Sequence, residues 1–341
     1  MTRRRFAAAT DNPAAGPAGA PPAGSVSRRR VLATGVGAAA GVAFGGACTT
    51  NLQQRPRGQV EDGAGMTLRW LGNNGWELRG AGATVLIDPW LTRFRTGTYT
   101  RAGADPNTPI SVDTDVVDTW VTDADQILVT HGHYDHLPDI PHIATRTGAT
   151  VLGTESHCRL LHALGAPPDQ LSVVVGGERL SFGEHRIDVI ASLHSASGPR
   201  RQVAFPGTVP GFRPRDPAPA APRVISELVE GGTLAYQVTM GGTSVLNLGG
   251  SNYLERELDG RRPDVLLLPT GGADIVDYVP RLLELLGHPG VVIPTHWDDV
   301  DQPLDKPAVD AGGLRPLLDA VAAASPTTRV RTLDHGDTVR L

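Results

Sequence analysis

THGHYDHLPD, residues 130–139, sets three histidines and two aspartates within ten positions. It follows DQILVT (125–130), a nearly continuous apolar run that reads as a strand ending directly at His131. Side chains alternate in extended backbone, so His131 and His133 project to the same side. Asp135 and His136, where the chain turns after the strand, can point back into the same space. Imidazole and carboxylate donors of this kind suit zinc, with manganese or iron as further options. Such a run cannot complete two coordination shells alone. Two more histidines stand just past the ends of apolar strands, His194 in VIASLHSAS and His296 in VVIPTHWDD. Strand C-termini that meet in one crevice are a familiar way to assemble a site.

Working outward, the pattern from Met66 onward is one of short apolar runs separated by glycine turns. MTLRWL, GWELRG and TVLIDPW read as strands with a hairpin turn at RGAGA, and GTLAYQVTMGGTSVLNLGG reads as a hairpin turning at Gly241-Gly242. IPHIATRTGA and ESHCRLLHALG read as helices around the strand TVLG. LSVVV, GGERLSFG and HRIDVIASLH add strands, the last ending at His194. DVLLLPTGG, the helix DIVDYVPRLLELLG and VVIPTHWDD have βαβ character, and the helix GLRPLLDAVAAA with the strands TRVRTLD and DTVRL closes the chain. The mixture predicts strands in layered sheets with helices outside. Residues 197–223, rich in proline and arginine and without periodicity, form a long loop of the sort that serves as a lid or stays disordered. His142, His157 and His162 fall on the helices and His185, His288 and His335 in turns or loops, all with structural or solvated roles.

The chain has 341 residues, 40% of them hydrophobic, enough for one large domain or two ordinary ones. Its net charge of −5 hides an asymmetry: six arginines against Asp11 put +5 on residues 1–48 and leave −10 on the remainder. An acidic body is a poor electrostatic match for nucleic acid. The two cysteines, Cys48 and Cys158, make no disulfide framework, and Cys158 should pack as a small hydrophobe. SRRRVLATGVGAAAGVAFGGAC (27–48) has the layout of a bacterial export signal, and its paired arginines resemble a twin-arginine signal. Cys48 then resembles the acylated cysteine of a lipoprotein, although Gly45 stands where such signals usually carry a leucine-like residue. The expected organisation is a leader over 1–48, a flexible tether over 49–65 and one domain over 66–341, exported and either membrane-anchored through Cys48 or released.

HGHYDH (131–136) matches the HxHxDH motif of the metallo-β-lactamase fold superfamily, and His194 and His296 lie where that family has its later ligands. WLGNNGWELRG…TVLIDPW and LLLPTGG…VVIPTHWDD are similar to the branch containing ascorbate-6-phosphate lactonase-like enzymes and N-acylphosphatidylethanolamine-hydrolysing phospholipase D. The resemblance covers roughly residues 66–341 and implies an α+β fold, a four-layer αββα sandwich. It implies that His131, His133 and His194 hold one metal, and that Asp135, His136 and His296 hold the other. Asp88, in the DPW element, would orient a ligand histidine. One departure stands out. The family usually places a bridging aspartate in a GD[ST] turn, and the matching turn LGGSNY (248–253) has Gly250 there. Either the second metal is held more weakly, or one metal suffices, or Asn252, Asp298 or Asp299 replaces the missing ligand.

Two functions are consistent with these residues. The first is a zinc-dependent hydrolase: metal-bound hydroxide attacks an ester, lactone or phosphodiester in a small-molecule or lipid-like substrate, with Asp135 orienting the water and shuttling its proton. The second is a non-catalytic metal-binding or sensing lipoprotein with a degenerate dinuclear site.

Overall fold

Apolar residues on successive strands sort into two sets by alternation, and the two sets bury against different partners. In the computed structural model, which describes residues 65–341, this sorting builds four layers. The leader, Cys48 and nearly all of the tether lie outside the described residues. The first half comprises β1 (Thr67–Trp70), β2 (Trp76–Gly80), β3 (Ala83–Ile87), α1 (Thr114–Trp120), β4 (Gln126–Leu128), α2 (Ile140–Thr147), β5 (Thr150–Gly153), α3 (Glu155–Ala163) and β6 (Leu171–Val173). The second comprises β7 (Arg179–Phe182), β8 (His185–Ala191), β9 (Leu234–Met240), β10 (Thr243–Asn247), α4 (Glu255–Leu258), β11 (Val265–Pro269), α5 (Tyr278–Leu285), β12 (Val291–Thr295), α6 (Leu314–Ala324), β13 (Arg329–Val330) and β14 (Thr338–Arg340).

One sheet has the order β14-β1-β2-β3-β4-β5-β6 and the other β13-β12-β11-β10-β9-β8-β7. Val85 and Ile87 of β3 face inward, where they meet Ile187, Val238, Val245 and Ile293 of the opposite sheet. Leu86, between them, faces outward and packs with Ile127 and Val151 against Val117, Ile143 and Leu161 of the first helical layer. The second sheet repeats the arrangement, with Leu246, Leu266 and Val292 covered by Leu282, Leu283, Leu317 and Val321. The result is the expected α+β sandwich, two mixed sheets flanked by helices.

Local signals explain most boundaries. The β2–β3 turn places Ala81 and Gly82 at φ 50° and 70°, and the β9–β10 turn places Gly241 and Gly242 at 55° and 85°. Both central residues are left-handed in each, the geometry that suits a two-residue hairpin. The Thr154 side chain accepts the His157 amide to start α3, while the His157 ring returns an acceptor to the Thr154 amide. Several boundaries differ from the sequence reading. β4 stops at Leu128 and β8 at Ala191, before the histidines that each was expected to reach, so His131 and His194 stand on short irregular extensions. The helix expected over 274–287 is only α5, because Asp277 takes a left-handed conformation (φ 50°) that the helix cannot contain. Helix α1, capped by the Asp113 carboxylate, had no apolar period to announce it, and it buries only Val117.

Candidate metal centre

Four strand ends deliver the site: β3 leads to Asp88, β4 to His131–His136, β8 to His194 and β12 to His296. The donor atoms of His131, His133 and His194 lie within 4.8 Å of one another, and so do those of His131, Asp135 and His136. His131 and His194 approach most closely, 3.2 Å between Nε2 atoms. The Nε2 atoms of His136 and His296 lie 3.5 and 3.4 Å from the same Asp135 oxygen, Oδ2. All six residues expected to ligate are thus together, in two groups that meet at His131.

Four of the five imidazoles are held by a group that leaves Nε2 free to face the cluster. Asp88 Oδ2 accepts from His136 Nδ1 at 2.7 Å, Ser195 O accepts from His194 Nδ1 at 2.7 Å, Thr130 Oγ1 lies 3.1 Å from His131 Nδ1, and His133 bonds the backbone of Ala204. Fixing one nitrogen in this way sets both tautomer and ring direction for a ligand. His133 Nε2 and His136 Nε2 are buried and have no hydrogen-bond partner in the protein. Each such orphan costs about 1–3 kcal/mol, a penalty that a divalent cation among these nitrogen and oxygen donors removes. The residues present therefore fit a metal.

The electrostatics divide the site. Burial, then the neighbouring His194, pushes the His133 pKa down to about 3, and burial also lowers His131 and His194. This half favours neutral imidazole, the ligating form. At His136 burial is outweighed by the Asp135 and Asp88 carboxylates, which raise the pKa to about 10. That half favours positive charge. The backbone also stores strain here: Asn73, Asp88 and His296 have φ of 50°, 41° and 55°.

Asp88 contacts more than one group. Besides His136, it accepts the Thr130 amide at 2.8 Å, the Thr130 hydroxyl, and Asn74 Nδ2 at 2.8 Å. The proposed replacement ligands are engaged with other groups. Asn252 turns its carboxamide oxygen to the Tyr253 amide, 2.9 Å away. Asp298 is fully buried in an ion pair with Arg93 (2.6 Å), with His335 2.8 Å from the same oxygen. Asp299 accepts the Asp301 amide. A Cβ on Gly250 would lie 3.1 Å from Leu193 O and 3.2 Å from His194 Cα, so this glycine sits directly behind a ligand strand.

Several residues passed unnoticed in the sequence. Asn73 donates its side chain to Asp135 O at 2.8 Å and its amide to Asp298 Oδ1 at 2.9 Å, while its carbonyl accepts the His296 amide at 2.8 Å. Asn74 and Asn247 exchange side-chain hydrogen bonds across the two sheets, at 3.2 and 3.1 Å. Their only signal was the paired asparagines of LGNNGW, set between glycines.

The cluster opens into a cleft of about 620 Å3. Part of the 197–223 loop forms one wall through Ala204 and Phe205. That loop is docked on α3: the Val209 amide donates to Ser156 Oγ, the Gly211 amide donates to Glu155, and Phe212 is buried.

The αββα sandwich thus carries His/Asp clusters at its strand ends. The chain belongs to the metallo-β-lactamase superfamily, for residues 67–296 match the family model described as "Beta-lactamase superfamily domain". It is 26% identical over 281 residues to a UPF0173 metal-dependent hydrolase of Caldivirga maquilingensis, covering 80% of this chain and 97% of that protein. It is 29% identical over 238 residues to one of Archaeoglobus fulgidus, covering 68% and 84%. Among solved structures it is similar in fold to Igni18, a metallo hydrolase from Ignicoccus hospitalis, with TM-score 0.50, 18% identity, and coverage of 81% and 98%. The protein is a metal-dependent hydrolase of this superfamily.

Proposed function

We propose that the cleft hydrolyses an ester, lactone or phosphodiester bond with zinc as the resident ion, one or two per chain. The observation that carries this reading is the pair of orphaned, buried Nε2 atoms of His133 and His136, each in one of two donor groups that share His131. His131, His133 and His194 would hold one ion, and Asp135, His136 and His296 a second. A bound divalent ion supplies Lewis acidity, which makes water a nucleophile near neutral pH and stabilises negative charge on the reacting centre. The protein supplies position. Asp88 holds His136 in one tautomer, and Asn73 fixes the Asp135 backbone so that its carboxylate faces the cleft. Asp135 would accept a proton from water and pass it to the leaving group, a role supported by the position of its Oδ2 between His136 and His296. The basic, Ala/Gly-rich leader supports an exported protein, anchored through Cys48, that meets small-molecule or lipid-like substrates.

The test is metal dependence with stoichiometry. Purified protein should bind zinc, lose turnover on chelation and regain it on adding Zn2+, and His133→Ala should abolish both turnover and stoichiometric binding. Turnover that survives chelation would refute the proposal.

A further inference from the structure

The cleft around the ligands is lined without a lysine or an arginine, a statement that holds among the described residues. Its polar lining is neutral beyond the ligands: Ser195, Ser197, Ser251 and Thr270, with Gly249 and Gly250. Sites that select phosphate esters normally supply guanidinium or ammonium donors, which pair with the non-bridging oxygens. Of the guanidinium groups nearby, two are committed elsewhere and the third, Arg95, lies outside the cleft. Arg93 is buried against Asp298, and Arg201 pairs with Asp274 at 3.1 Å. Arg95 lines an adjoining cavity of about 270 Å3, which shares Tyr99 with the cleft.

The opposite wall is apolar. Phe205 packs edge-on against His133 and Tyr134, with centroids 6.1 and 6.2 Å apart, and Tyr99, Ala104 and Ala204 continue the surface. This wall borders the ligands themselves, so a group docked on it lies next to the reacting centre. Tyr99, on this wall, is 42% exposed.

We infer that the substrate is an uncharged carboxylic ester or lactone whose acyl chain lies on the Phe205 wall, and that Phe205 sets chain-length specificity. The inference rests on the hydrolase reading and narrows it. In the reaction, water oxygen forms a bond to the acyl carbon, and the acyl C–O bond breaks with its electron pair leaving on the alkoxide. The alkoxide takes one water proton, giving the alcohol, and the carboxylic acid releases the other. Ser251 and Thr270 give their protons to Thr270 O and His296 O, so the Ser195 and Ser197 hydroxyls are the ones left to orient a neutral carbonyl compound, and the apolar wall adds affinity with each methylene it covers.

The zinc-loaded protein is assayed with the 4-nitrophenyl esters of acetate, butyrate and octanoate and with bis(4-nitrophenyl) phosphate. We expect kcat/KM to rise at least about thirtyfold from acetate to octanoate, through KM, given the transfer free energy of the added methylenes. The phosphodiester should be at least about a hundredfold poorer than octanoate. Phe205→Ala should lower the octanoate-to-acetate ratio about tenfold, and Phe205→Leu should restore most of it. Octanamide should inhibit competitively, with a Ki that rises in Phe205→Ala. Preference for the phosphodiester, or a ratio indifferent to Phe205, overturns the inference while leaving a metal-dependent hydrolase in place. Zinc-independent turnover, or none on any of the four substrates, overturns both.

Discussion

Asp298→Ala is the substitution whose consequences the structure specifies most fully. Asp298 and Arg93 form an ion pair at 2.6 Å with both side chains completely buried, and His335 lies 2.8 Å from the same carboxylate oxygen. Removing the carboxylate strands a guanidinium in a place water does not reach. Breaking a buried pair on one side typically costs roughly 3–5 kcal/mol. A domain of this size loses about 2–4 °C of Tm per kcal/mol, so a fall of roughly 6–20 °C is expected. Arg93 keeps two carbonyl acceptors, Asp299 O and Val300 O, which favours the lower half of that range. The other Asp298 oxygen accepts the Asn73 amide, and Asn73 in turn holds Asp135 and the His296 backbone. Zinc affinity should therefore fall as well, by about 10–100-fold, as when groups behind metal ligands are removed. Calorimetric unfolding and competitive zinc titration read the two effects separately. The double variant Arg93→Met/Asp298→Leu removes both charges and should recover much of the stability but little of the zinc affinity. A Tm shift under about 2 °C for Asp298→Ala, or a double variant as unstable as the single, would refute the reasoning.

Three other substitutions or reagents probe different parts of the molecule. Gly250→Asp, which restores the usual bridging residue, should weaken zinc binding because its Cβ presses on the His194 backbone; tighter binding of two ions would show that the strand yields. Burial pushes the Asp139 carboxyl up to about 6 against its donors Leu91 N, Thr92 N and Thr92 Oγ1. A carboxyl raised on folding stabilises fully below its unfolded pKa and loses that contribution as pH rises through 6. Urea unfolding at pH 4 to 7 should thus show the advantage of wild type over Asp139→Asn shrinking by up to roughly 3 kcal/mol, and an advantage that grows with pH contradicts the assignment. Burial likewise pushes the Cys158 thiol up to about 12, so mass mapping after iodoacetamide should find Cys158 unlabelled in the native protein and labelled in urea.

Much of this was legible in the residues because the signals were local. Alternation assigned the strands, glycine pairs assigned two hairpins, and THGHYDHLPD with His194 and His296 named the six side chains that the structure gathers. What the sequence did not show was long-range. Asp298 was a candidate replacement ligand because it stands two residues from His296, and the structure pairs it with Arg93, 205 residues earlier in the chain. Nothing in the sequence joins those positions, since a buried ion pair has no period and no motif. Asn252 shows the opposite case, since its carboxamide oxygen accepts the amide of the next residue, as asparagines in turns commonly do. The same locality hid α1, whose single buried residue leaves no amphipathic trace.

The asparagines explain why the site forms where it does. The clustered side chains come from both sheets: Asp135 and His136 follow β4 of one, while His194 and His296 follow β8 and β12 of the other. Their separation is therefore set by how the sheets pack, and apolar contacts alone tolerate sliding. Asn74 and Asn247 face each other across that seam, and their two hydrogen bonds have one register. Asn73 adds a second tie between the same layers, through the His296 amide and Thr295 Oγ1. Buried amides are costly unless every partner is in place, so a slipped arrangement would leave several polar groups unsatisfied at once. The polar seam thus excludes packings that the hydrophobic core would accept, and the ligand spacing follows from it without a bridging carboxylate.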